Sequence, residues 1–118
     1  MMRINVRKDF SKAPGPRYKE EGKNSGELLR ETILAPQLRK ALESGSKLII
    51  DLDGTAGFGT SFLEESFGGL IREDKFNYKD IKNIIEFISK EDPYLIKEIE
   101  EYLLDAKEEA QENRQAPA

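Results

Sequence analysis

The sequence predicts a small single-domain α/β fold, a mixed sheet of about four strands flanked by helices. Three observations predict it. Apolar residues recur with a two-residue period at the N-terminus and a helical period elsewhere, so strands and helices alternate along the chain. The apolar run Leu48-Ile49-Ile50 enters a turn carrying Gly54, Gly57 and Gly59 and leaves it as a helix. The chain has 118 residues, enough for one core, since a domain of this size buries roughly 65% of its unfolded surface.

Residues 2–8 alternate Met2, Ile4 and Val6 with Arg3, Asn5 and Arg7, the pattern of a half-buried strand. The next segment is rich in turn residues, and Pro14-Gly15-Pro16 fits neither a helix nor a central strand. Residues 17–19 are expected to close a short hairpin on the first strand. Asn24 or Ser25 can cap the first long helix, with Leu28, Leu29, Ile33, Leu34, Leu38, Ala41 and Leu42 on its apolar face. Pro36 interrupts its hydrogen-bond ladder, which predicts a kink or two short helices. Residues 47–53 form a strand apolar enough to be buried on both faces.

After the glycine turn, Ser61 and Glu64 stand at the spacing of a capping box. Leu63, Phe67, Leu70 and Ile71 form one stripe of the helix; Ser66 and Gly69 form a small-residue strip beside it. Glycine inside a helix costs about 1 kcal/mol against alanine, so close approach of another backbone is expected there. Residues 81–89 suit a helix by spacing and a strand by β-branched content; a short helix at 78–82 followed by a strand at 84–89 is preferred. Asp92 and Pro93 start a last helix whose buried face holds Leu95, Ile96, Ile99, Tyr102, Leu103, Ala106 and Ala110.

Composition narrows the function. Cysteine and histidine are both absent, which removes disulfides, thiolate metal sites and the commonest general base. No cofactor, metal site or catalytic residue is expected. The net charge is −4, but residues 1–23 carry seven basic groups against three acidic ones, and residues 91–112 carry nine acidic groups against two lysines. That asymmetry would steer an acidic partner to the N-terminal face, or is simply solvated surface. Nucleic acid is not an expected partner, because basic surplus and stacking aromatics are lacking. No apolar run has the length or flanks of a signal peptide or membrane span, so a cytoplasmic protein is expected, a monomer or a weak dimer.

Asp51-Leu52-Asp53-Gly54-Thr55 is similar to the D-x-D-G-T motif of haloacid-dehalogenase-type phosphatases. In that chemistry Asp51 would attack phosphorus, Asp53 would act as acid and base, and magnesium would bridge carboxylate and phosphate. The context disfavours it. Later strands should bring a Ser/Thr, a Lys and further acids, whereas the one expected later strand offers Ser89, Lys90, Glu91 and Asp92 together. An anion held by the turn amides of 57–61 is a further alternative, without the lysine of a nucleotide-binding P-loop.

Taken together, "DFSKAPGPRY", "NSGELLRE", "LAPQL" and "DLDGTAGFGTSFLEESFGGLIRE" resemble a bacterial STAS-like domain family of unknown function. More distantly, the chain is similar to the STAS domains of anti-sigma-factor antagonists. The resemblance implies one STAS-like domain over 1–112, with 113–118 a disordered tail. It implies a non-enzymatic regulatory module that binds a protein partner through the loop and helix at 57–71. The partner implied is a histidine-kinase-like ATPase that phosphorylates Thr60 or Ser61. Partner contacts are expected at Phe58, Phe62, Glu65, Ser66 and Gly69. Arg17, Arg30, Asp53 and Glu64 are expected to support the loop, with Arg17 or Arg30 pairing to Asp53 or Glu64. Gly59 and Phe62 stand where the STAS pattern has aspartate and glycine.

Overall fold

A computed structural model describes the backbone of residues 2–115 and the side chains of residues 2–112. Strand β1 (Met2–Asn5) runs into a single helical turn, α1 (Val6–Asp9). The alternation expected to continue to residue 8 stops because the Asn5 side chain accepts from Lys8 N at 3.0 Å and caps α1. No hairpin follows: Lys19–Glu21 is a 3-10 turn, so the second strand expected at 17–19 is absent.

One long helix is then built from α2 (Gly26–Leu29), a π turn (Arg30–Leu34) and α3 (Ala35–Ser44). Ser25 caps it by accepting from Leu28 N at 3.0 Å. In place of a sharp kink, the helix absorbs Pro36 through the widened turn just before it, where Ala35 N bonds to Arg30 O. Gly45 ends α3 in the left-handed conformation, φ 69°.

Strand β2 (Leu48–Asp51) leads through the glycine turn to α4 (Thr60–Leu63), a second π turn (Glu64–Gly68) and α5 (Gly69–Arg72), again one continuous helix. Helix α6 (Tyr78–Ile84) is capped by Asn77 and passes directly into β3 (Ile85–Ile88). Helix α7 (Tyr94–Gln115) follows; its 22 residues span about 33 Å. The tail expected from residue 113 lies, beyond Gln115, outside the described residues.

The fold class is α/β. The sheet has three strands in the order β1-β2-β3, all parallel, where about four in a mixed arrangement were expected. Sequential order with right-handed crossovers puts both helical connections on the same face. Burial agrees: Ile4, Leu48, Ile50 and Ile85 point into the core, and Phe87 meets Phe67 edge-on at 5.5 Å. The alternate residues Arg3, Ile49 and Glu86 share the opposite face, which no described element covers. Helix α4–α5 lies at the centre of the helical layer, between α2–α3 and α7.

Candidate functional site

The loop between β2 and α4 opens at the C-terminal edge of the parallel strands, where α/β folds place their ligands and partners. Both aspartates of the D-x-D motif are spent within the protein. Asp51 Oδ2 accepts from Arg3 Nη2 at 3.0 Å, and its Oδ1 accepts from Asp53 N at 3.0 Å. Asp53 accepts from Lys90 N at 3.1 Å and Glu91 N at 3.0 Å, while Glu91 Oε2 accepts from Gly54 N at 3.1 Å. These three bonds clasp the β2–α4 loop to the β3–α7 loop. Among the described residues, no group of three or more carboxylates is placed to hold a metal ion.

Past the clasp the loop is open. Gly54 (φ 89°) is pressed against Arg7, whose Cδ would lie 2.7 Å from a Cβ at 54. Gly57 (φ 125°) and Gly59 have nothing within 4 Å of where a Cβ would stand. Ala56 N is tied to Lys12 O at 2.8 Å, which brings the basic N-terminal segment alongside. Phe58 is half-buried and stacks on Phe62 with ring centroids 5.7 Å apart; Phe10 approaches Phe62 at 6.3 Å. Thr60 and Ser61 are both exposed.

The capping box expected at Ser61 does not form. Gly59 is the cap residue, Thr60 begins the helix, and the Glu64 carboxylate is taken by arginines. The expected partner surface is also corrected. Phe62, Ser66, Glu65 and Gly69 are buried within the domain, so of that set only Phe58 reaches the surface. The small-residue strip serves a neighbouring helix. A Cβ on Gly26 of α2 would stand 2.5 Å from Phe62 O, and Ser66 Oγ donates to Gly26 O at 3.2 Å.

Behind the loop runs a chain of charges. Arg17 pairs with Glu64. Glu64 receives Arg72 through both oxygens at 2.7 and 3.2 Å, and Arg72 reaches Glu65 at 3.2 Å. Glu65 binds Arg30 at 2.9 Å, and Arg30 reaches Asp74 at 2.8 Å. Arg30 does not meet Asp53 or Glu64. Burial alone would raise the Glu64 pKa, but hydrogen bonds from Arg72 and Arg17 overcome it and hold the carboxyl below its ordinary value. Burial likewise opposes the charge on Arg30, and its bonds to Asp74 and Glu65 prevail. Arg30 Nε is buried without a hydrogen-bond partner, as it lies over Gly69.

Sequence reasoning did not single out Arg72 or Asp74. Glu64 and Arg72 are eight residues apart, out of step for a regular helix of 3.6 residues per turn. The π turn adds about one residue per turn and brings them onto one face.

Three parallel strands backed by helices, with a glycine-rich loop leading into a central helix, define a small α/β module. A family model described as a STAS-like domain of unknown function matches residues 25–95, and the chain belongs to that family. Neither the curated proteins nor the solved structures contain a match to the chain.

Proposed function

We propose that the chain is a non-enzymatic, cytoplasmic regulatory module that binds a partner protein through the 57–61 loop and the first turn of α4. The partner is a serine/threonine kinase of the histidine-kinase-like ATPase type, and Thr60 or Ser61 is its target. The observation that carries this reading is a contrast within one helix. Thr60 and Ser61 are exposed, whereas residues 62, 63 and 65–71 are buried. A partner therefore has the loop, Phe58 and these two hydroxyls to read, and little of the helix beyond them.

In the reaction the Thr60 or Ser61 oxygen takes the terminal phosphoryl group of ATP, its proton leaves, and ADP is released. The modified residue would carry about −1.5 to −2 charges beside a helix N-terminus, where negative charge is favoured. The fold would tolerate it while the surface presented to the partner changes sign.

The test is phosphosite mapping by mass spectrometry after incubating the chain with ATP and lysate of its source cells, with partner capture on immobilised chain. Phosphate on Thr60 or Ser61, and an ATPase captured by the wild-type chain but lost with Thr60→Glu, are the expected results. No modification at either residue, together with capture indifferent to Thr60→Glu, would overturn the reading. Magnesium-dependent phosphatase turnover abolished by Asp51→Asn would overturn its non-enzymatic part.

A further inference from the structure

We infer that the trough between α5, the segment 73–79 and the C-terminal half of α7 is a docking groove for an acidic amphipathic segment of a partner protein. It lies at the end of the domain opposite the 57–61 loop, and the inference is independent of the function proposed for that loop.

Two cavities, of about 480 and 400 Å³, share Ile71, Phe76 and Ala110 as lining. They are the two ends of one trough, apolar where they join and more polar toward Asn77 and Gln111. A helix that docks in such a groove does so through anchors at i, i+3, i+4 and i+7, and a trough divided by Phe76 suits two successive anchors.

The rim is cationic. Arg72, already paired with Glu64 and Glu65, and Lys75 line one end, and Lys79 and Lys107 the other. Arg39 adds a fifth cation, its guanidinium 5.4 Å from the centroid of the Phe76 ring. Glu109 is the carboxylate among the lining residues. This local sign opposes the net charge of −4. Lys75, Lys79 and Lys107 form no ion pair among the described residues; Lys75 Nζ donates to the neutral Arg72 carbonyl at 2.8 Å, so none of the three charges is cancelled by a carboxylate. Lys107 instead lies 4.9 Å from the centroid of the Tyr78 ring.

Lys75 ends α5 in the left-handed conformation, φ 64°. Its ammonium donates to the Arg72 carbonyl oxygen at 2.8 Å, which closes the helix end and holds the positive charge at the mouth of the trough.

An anionic membrane would also attract these lysines, but it fits the surface less well. Asp105, Glu108 and Glu112, exposed on α7 near the same end, would be repelled by it. A single acidic segment lying in the trough meets the cations and avoids those carboxylates.

The test uses a fluorescein-labelled synthetic helix with leucines at i, i+3, i+4 and i+7 and glutamates elsewhere, titrated with the whole chain by anisotropy. A second helix has lysine for glutamate. Saturable binding of the acidic helix, with chemical-shift changes at Phe76, Lys79 and Ala110, is expected. Binding should weaken at least about tenfold with Lys75→Glu/Lys79→Glu, both exposed positions. Lys79→Gln separates binding from folding: the position is exposed and its side chain forms no ion pair among the described residues, so the change should weaken binding while leaving stability within about 0.5 kcal/mol of wild type. Four results would each overturn the inference: no saturation by about 1 mM, equal affinity for the lysine helix, indifference to the lysine variants, or sedimentation with phosphatidylserine vesicles without peptide binding.

Discussion

Arg30 lies across Gly69. A Cβ at position 69 would stand 2.5 Å from Arg30 Nε and 2.7 Å from its Cδ. The guanidinium cannot swing aside, because Glu65 and Asp74 hold it from two sides at 2.9 and 2.8 Å. The glycine that weakens the helix by propensity is what lets an arginine cross it. Gly69→Ala would gain about 1 kcal/mol from helix propensity alone. We expect instead a net loss of about 1–3 kcal/mol from overpacking, measured by urea denaturation. A stabilised Gly69→Ala variant would refute the packing.

Glu65 is the hinge of the charge chain. It is 3% exposed and accepts from both Arg30 and Arg72. Removing it leaves Arg30 buried with Asp74 as its remaining counter-charge. Glu65→Ala should cost about 3–5 kcal/mol. Arg30→Met/Glu65→Leu should recover much of that loss, because a buried pair is often no more stable than a well-packed apolar one. The double-mutant cycle in chemical denaturation measures the coupling.

Much of the framework was legible in the sequence, and the reasons differ by element. The β2 strand, the glycine turn and the α7 start follow from local chemistry: apolar run, turn residues, Asp92-Pro93. The helix-to-strand order over 78–89 was readable from β-branched content, but the helix runs to Ile84, two residues past the expected 78–82, and the Asn77 cap that starts it was not recognised. Local signals misled where a neighbour competed for the same atoms. Ser61 and Glu64 have the spacing of a capping box, but Arg17 and Arg72, distant in sequence, take the carboxylate. The strand expected through residue 8 lost to the Asn5 cap. Phe62, Glu65, Ser66 and Gly69 looked like an open face because nothing local shows that α2 and α7 cover them from two sides. The small-residue strip did signal close approach, but a backbone meets it only at Ser66, through Gly26 O; at Gly69 the neighbour is the Arg30 side chain, where another backbone was expected.

Acid should loosen the domain through Glu64. Its folded pKa lies below the ordinary value, as burial is overcome by bonds from Arg72 and Arg17. A depressed carboxylate contributes fully above its unfolded pKa, about 4.3 for glutamate. The contribution is lost as pH falls through the lower folded value. Thermal stability should therefore decline through the acidic range, and Glu64→Gln should be less stable near neutrality with a flatter acid slope. Melting temperatures across pH for both proteins check this; parallel curves would contradict it.

The Asp53 clasp should be structural. Among the described residues, its carboxylate satisfies Lys90 N and Glu91 N and no group outside the two loops. Asp53→Ala is expected to cost about 1–2 kcal/mol and to speed amide exchange at Lys90 and Glu91, with the sheet amides little changed. Unaltered exchange at those two amides would mean that the clasp contributes nothing.

Ser61 distinguishes the two ways of starting the central helix. Were it the cap, Ser61→Ala would cost about 1 kcal/mol. In the structure Gly59 is the cap residue, with no side-chain bond to the first turn, and Ser61 is exposed one residue inside the helix. Exposed positions without such bonds usually change stability by less than about 0.5 kcal/mol. Ser61→Ala should therefore be nearly silent in urea denaturation. Ser61→Asp should be silent or slightly stabilising, since it adds negative charge at the helix N-terminus. A loss near 1 kcal/mol in the alanine variant would restore the capping role and remove Ser61 as a hydroxyl free for modification.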